Sequence, residues 1–170
     1  MGYFTSTQRQ ITANMKIRLL AVGHKMPKWV SQTFNDYNKR LPKAQQIQLL
    51  EMAPVHRSKT MSAEKAKQIE GKNILAALKS SEKLIILDEH GTALSTKILA
   101  QSIKKWQMTA ANIALVIGGA DGFSPAVKQQ AHAVWSLSLL TFPHPLVRVI
   151  IMEQIYRAYT LIANHPYHRE

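Results

Sequence analysis

Five short apolar runs, separated by stretches of helical period, narrow the fold of this chain more than any other feature. Residues 16–22, 46–52, 83–88, 112–117 and 134–139 each hold four or more apolar side chains, and runs of this length read as strands. The intervals read as helices. Pro27 can occupy the first turn of one, where its missing N–H is harmless, and Trp29, Val30, Phe34, Tyr37 and Leu41 then follow at helical spacing. Ser62 is a candidate N-cap for a helix to about Lys79, residues 95–108 form another, and Ser124-Pro125 opens a third by the cap-then-proline rule. Pro145 begins the last helix, to about Asn164. Strands alternating with helices predict an α/β fold with a mainly parallel sheet and crossover helices. With no internal repeat, low-complexity tract or linker, residues 15–170 are expected to form a single domain. Residues 1–14 show no apolar period and no core for a secretory signal, so they are expected to be an extension ahead of Met15.

The last helix is unusual. Leu146, Val147, Val149, Ile150, Ile151, Met152, Ile155, Tyr156, Tyr159, Leu161 and Ile162 surround most of its circumference, so it needs cover on more than one side. One side can face the sheet, and the other predicts a homodimer. The alternative is a helix sandwiched within one chain.

Charge speaks to partners. Lys and Arg number 22 against 10 Asp and Glu, a net +12, and residues 1–80 alone account for +10 of it. A one-sided basic field suits a polyanion, with nucleic acid the commonest, bound through phosphate neutralisation. His56, Arg57 and Lys59 stand in the loop before the second helix, and Lys65, Lys67 and Lys72 on it. Arg57, Lys59 and Lys65 are the expected phosphate contacts. The chain has no Cys, which excludes disulfides, thiolate metal sites and cysteine nucleophiles and fits a reducing cytosol. Arg148 and Glu153 interrupt its longest apolar stretch, and no window reads as a membrane span.

In an open α/β sheet, ligands sit at the carboxyl ends of the strands. Three segments stand there together: Leu87-Asp88-Glu89-His90-Gly91, Ile117-Gly118-Gly119-Ala120-Asp121-Gly122 and Leu137-Ser138-Leu139-Leu140-Thr141-Phe142. Glycines after a buried strand let backbone amides approach a ligand, and a Cβ at Gly119 is expected to fill ligand space. The glycine run is not the dinucleotide fingerprint, it follows the fourth strand instead of the first, and no P-loop is present. This argues against a nicotinamide oxidoreductase. Asp88 and Glu89 adjoin, so on a strand they would face opposite ways and more plausibly cap a turn than form a catalytic pair. Seven His without metal-like spacing predict no metal site. The residues alone reach ligand loops on a basic α/β domain and stop there.

The segments IGGADGFSPAV, SLSLLTFPHPLVRVIIMEQIYRAY and the terminal NHPYHRE resemble the ribosomal RNA large-subunit methyltransferase H family, and the likeness extends from MKIRLLAVGHKMPKWV at Met15 to Glu170. That family often has Pro-Glu where this chain has Ala120-Asp121. The resemblance implies a SPOUT fold with a C-terminal trefoil knot, an exception to the rule that chains do not thread loops. It also implies S-adenosylmethionine bent into the knot and held largely by backbone groups at Leu87, Gly118, Gly119, Leu137, Ser138, Leu139, Leu140, Thr141 and Phe142. The implied reaction is methyl transfer to N3 of a pseudouridine in the subunit-interface stem-loop of 23S rRNA, on the assembled 70S ribosome in the cytoplasm. An imide nitrogen needs to lose its proton first, so a base or an anion-stabilising cation is expected. Within the matching segments, His144 and His168 are the candidates for proton handling, Arg148 and Arg169 for anion or phosphate contacts, and Tyr167 joins them in the tail. Trp135 and Tyr156 read as core.

Overall fold

The computed structural model describes residues 15–168. The strands β1 (Ile17–Val22), β2 (Gln48–Met52), β3 (Glu82–Ala93), β4 (Asn112–Ile117) and β5 (Ala133–Ser136) form one parallel sheet in the order β2-β1-β4-β3-β5. β1 and β4 lie inside the sheet and are buried along almost their whole length, which is why they read as continuous apolar runs.

Among the described residues, five α-helices cover the two faces: α1 (Lys28–Arg40), α2 (Ala63–Ala77), α3 (Thr96–Thr109), α4 (Pro125–Gln130) and α5 (His144–Ile162). Phe34 of α1, Leu99 and Ile103 of α3 and Ile151 and Ile155 of α5 share one apolar cluster, while Ile74 of α2 and Val127 of α4 share the other. The connections obey one hand. Moves toward the β2 edge (β1 to β2, β3 to β4) pass through α1 and α3, and moves toward β5 pass through α2 and α4 on the opposite face. Ser62, Ser95 and Ser124 each accept a backbone N–H at the start of their helices, as N-caps do. Pro27 stands at the cap position, one residue ahead of α1, so it precedes the first turn that it was expected to enter.

α5 packs between α1 and α3, against the sheet. Its own chain thus covers three sides and buries Ile151, Met152, Ile155, Ala158 and Tyr159. More of this helix is enclosed within one chain than its composition suggested. Trp135 stacks on Trp106 at 5.9 Å between ring centres and packs against the core.

Two strand ends differ from the expected pattern. β3 does not stop at Asp88: Trp135 of β5 faces both Leu87 and Thr92, so residues 88–91 leave the ladder as an excursion and the strand then resumes. Gly91 lets the chain return, because a Cβ there would lie 2.7 Å from the Trp135 backbone. β5 ends at Ser136 instead of 139, since the Ser136 hydroxyl donates to the Ser138 carbonyl (2.8 Å) and the Leu140 N–H donates to Ser138 Oγ (2.9 Å). Local side-chain hydrogen bonds of this kind compete with a ladder and turn the chain away.

A candidate cofactor cavity at the carboxyl ends of the strands

The excursion in β3, the turn after β4 and the segment after β5 converge on a cavity of about 430 Å³. Leu87, Gly118, Gly119, Leu137, Ser138, Leu140, Thr141, Phe142 and His144, all expected near a ligand, line it together. Leu139 does not; its side chain is fully exposed. Asp88, Glu89, His90, Asp121, Lys67 and Lys128 also line the cavity and give it charge, although Asp88 and Glu89 were expected to cap a turn.

The glycine turn is shaped from behind. A Cβ on Gly119 would lie 2.3 Å from Glu70 Oε2 of α2, and one on Gly118 would meet the Phe123 ring at 3.0 Å. The expectation that a side chain at 119 would enter ligand space is therefore corrected, because Glu70 occupies the direction in which it would point. Gly122 has φ +76°, a conformation that L side chains rarely adopt, and its N–H donates to the Gly119 carbonyl (3.0 Å) to close the turn. Glu70 is buried, its Oε1 accepts the Val55 N–H (3.0 Å), and its Oε2 has no hydrogen-bond partner among the described residues.

The excursion is braced from two sides. Lys128 Nζ lies 2.8 Å from Asp88 Oδ2, and the His90 N–H donates to Asp88 Oδ1 (3.0 Å). Burial pushes the Asp88 carboxyl up, but the hydrogen bonds from Lys128 and His90 outweigh it and hold Asp88 below its ordinary range. The Thr141 hydroxyl donates to Glu89 Oε2 (2.7 Å), tying the segment after β5 to the excursion.

His144 opens α5 at the cavity wall. Burial and the positive charge of Arg148 lower its pKa, against a smaller opposing effect from a hydrogen bond with the Gly118 backbone. Its neutral form is favoured. Arg148 itself is a correction. Expected at an anion, it is 1 % exposed, pairs with Glu51 through Nη1 and donates to the Gly23 carbonyl through Nη2 (2.7 Å). The phase of α5 turns this guanidinium inward, where it anchors the helix start to the ends of β1 and β2. Arg57, expected at phosphate, pairs with Asp121 of the glycine turn.

Tyr167 packs against a different region. Its hydroxyl donates to Glu153 Oε1 (3.2 Å), its ring meets Tyr156 edge-on at 4.7 Å, and the Arg157 guanidinium lies 5.1 Å from its centre. Burial, the Tyr37 hydrogen bond and the Glu153 charge push its pKa up, so it stays a donor. Glu153 stands nine residues beyond His144, or about 14 Å along the helix at 1.5 Å per residue. Tyr167 is therefore not among the residues that line the cavity of its own chain. His168 ends the short 3-10 turn Pro166–His168, and Arg169 lies outside the described residues, as do residues 1–14.

Among the described residues, no group of three or more His, Asp or Glu side chains could hold a metal ion, and no helix is long and apolar enough to cross a membrane.

Comparison with known proteins agrees with this geometry. A protein named ribosomal RNA large subunit methyltransferase H from Hahella chejuensis is 46% identical over 156 residues, covering 92% of this chain and 100% of its own length. Its namesake from Teredinibacter turnerae is 49% identical over 158 residues, covering 91% and 100%. A third, from Ralstonia nicotianae, is 45% identical over 155 residues, covering 91% and 99%. The family described as "Predicted SPOUT methyltransferase" matches residues 15–168. With one parallel α/β sheet, a cavity at its strand ends and near full-length relatives, this chain belongs to the SPOUT methyltransferase family.

Proposed function

We propose that this protein transfers the methyl group of S-adenosylmethionine to ribosomal RNA, at N3 of a pseudouridine in the subunit-interface stem-loop of 23S rRNA on the assembled 70S ribosome, and that it works as a cytoplasmic homodimer. The observation that carries this reading is the convergence of three strand-end segments on one cavity, in a chain whose relatives are named for methylating large-subunit rRNA.

The cavity suits the donor. About 430 Å³ falls within the range of small-molecule sites, roughly 300–1,000 Å³. Leu87, Ile117, Phe142 and Val147 offer apolar walls, and the turns at Gly118 and Leu137–Leu140 offer backbone groups that can read an adenine edge. Bound there, S-adenosylmethionine would supply an electrophilic methyl group on a sulfonium. The chain's part is to hold and orient the donor and to handle the imide proton. His144, at the cavity wall, is the candidate for the latter. One ring nitrogen engages the Gly118 backbone, and its favoured neutral form leaves the other free to accept a proton.

A second copy has two supports. Leu139, Leu140 and Leu146 are exposed near the cavity and the start of α5, where a partner would cover them. Tyr167 sits beside Glu153, well along α5 from its own cavity, so in a two-fold dimer it and the residues that follow would serve the partner's. The return of the chain from edge strand β5 to a helix lodged between α1 and α3 supports the knotted path.

The test is single-turnover methylation of ribosomes from a strain lacking this gene, with the product mapped by mass spectrometry. One methyl group at the stated base is expected on ribosomes and none on naked rRNA. His144→Ala should slow the chemical step by about 10²–10⁴-fold, the usual worth of a general base, with donor affinity retained. Unmodified ribosomes with the wild-type protein would overturn the reading.

A further inference from the structure

The cavity holds two carboxylates with cationic partners, and the two pairs differ in the burial of the carboxylate. Asp88 is almost enclosed, with a side chain 7% exposed, while its partner Lys128 on α4 is 45% exposed. Asp121 lies at the corner of the glycine turn, its side chain 29% exposed, and its partner Arg57 is 40% exposed on the basic loop between β2 and α2. That loop is also tied to the turn from below, because Glu70 accepts the Val55 N–H with one oxygen and abuts Gly119 with the other. Arg57 thus reaches Asp121 from a loop held in a fixed place, and its guanidinium remains open to solvent.

We infer that Asp121 selects the cationic methyl donor over its neutral product, and that Arg57 masks this preference until an RNA phosphate takes the guanidinium. The inference rests on the proposed function above. S-adenosylmethionine and S-adenosylhomocysteine differ only in the transferred methyl group and the sulfonium charge. A carboxylate at the cavity wall therefore distinguishes them through charge. Asp121 lines the cavity, and the field of its carboxylate acts on a cation bound there within about one Debye length, ~8–10 Å. While Arg57 is paired, the two charges largely cancel. An exposed pair of this type is weak and readily exchanged. A phosphate offers the same guanidinium a bidentate partner, and Arg57 stands on the loop whose neighbours Lys59 and Lys65 add to a basic surface. RNA binding then leaves Asp121 unpaired beside the donor. Once the methyl group has left, the product loses this attraction.

Equilibrium dialysis with radiolabelled donor and product gives the ratio of their dissociation constants. Arg57→Gln should raise the preference for S-adenosylmethionine about fivefold without RNA, the size of one exposed charge pair. Asp121→Asn should abolish the gain, and the double variant should behave as Asp121→Asn. Saturating ribosomes that already carry the methyl group, and so cannot consume the donor, should raise the wild-type preference and leave that of Arg57→Gln where it was. A preference indifferent to Arg57→Gln or to ribosomes, or a gain that survives Asp121→Asn, overturns the inference. A protein that binds neither compound overturns the proposed function instead, and circular dichroism confirms that each variant is folded.

Discussion

The two ends of the parallel sheet carry similar chemistry and put it to opposite uses. At the amino ends of the strands, Arg18 forks onto Glu82 at 2.5 and 2.6 Å and also donates to the Ala77 carbonyl (2.8 Å), with both side chains under 10% exposed. Burial pushes the Glu82 carboxyl up, but Arg18 and the Lys79 N–H overcome it and hold it below its ordinary value. Nearby, Asn112 Oδ1 accepts the Lys16 N–H (3.0 Å). At the carboxyl ends, Arg57 pairs with Asp121 partly in solvent, Glu70 leaves an oxygen without a partner among the described residues, and a cavity stands open. At the amino ends the ion pair is buried and doubly hydrogen-bonded. At the carboxyl ends an ion pair stays partly in solvent beside an open cavity, as functional sites do at some expense of stability.

Disturbing the buried pair should have the largest effect on stability. Glu82→Ala leaves the Arg18 guanidinium buried without its partner and should cost about 3–5 kcal/mol in urea unfolding, with the donor affinity of the remaining folded protein unchanged. The pair also sets an acid limit. Because the folded pKa of Glu82 lies below its ordinary 4.5, its contribution is complete above that pH and is lost as the pH falls through the lowered value. Glu82→Gln should remove this part of the acid dependence. An unfolding midpoint indifferent to either change would break the comparison.

Next comes the open end seen from behind. Gly119→Ala forces a Cβ toward Glu70 and should cost about 1–3 kcal/mol, as overpacking does. In a Glu70→Ala background the cost should shrink, and a double-mutant cycle reads the difference. Undiminished cost there would mean that the glycine serves the ligand instead of the packing.

Arg148→Met should have a smaller effect, since its partner Glu51 is 41% exposed and can be hydrated. Removing the positive charge beside His144 should raise the pKa of that imidazole toward its ordinary 6.5, an upward shift that nuclear magnetic resonance titration would detect. In the wild type, the lowered pKa means that stability is lost as the pH falls below about 6.5, where the unfolded chain takes up a proton that the folded one resists.

The least effect on the fold is expected from Lys59→Glu with Lys65→Glu. Thermal unfolding and donor affinity should barely move, while ribosome association weakens and loses part of its salt dependence. A salt response identical to the wild type would remove these lysines from the RNA surface.

Strand positions, helix caps and the strand ends that line the cavity were legible because each depends on local pattern: apolar runs, Ser at helix starts, glycines after a buried strand. The segments at Leu87, Gly118 and Leu137 meet at one cavity because a parallel sheet gathers its carboxyl ends on one side. Arg148 misled because a charged residue on an apolar helix looks like a functional group until the helix phase is known. Nothing local announces that Glu51 and Gly23 await it, 97 and 125 residues earlier in the chain. The excursion of β3 was likewise hidden, since only pairing with β5 shows that Trp135 is faced twice.

The amino-acid sequence by itself thus determined the alternating α/β architecture, the basic half and the loops that carry the cavity, because period, composition and turn residues act over a few positions. Only the tertiary structure decided which charges are spent within the protein, at Arg18, Arg148 and Asp88, and which pair, Arg57 with Asp121, remains open to exchange. A side chain's charge is written in its identity, but its availability depends on burial and on partners that folding brings from distant parts of the chain.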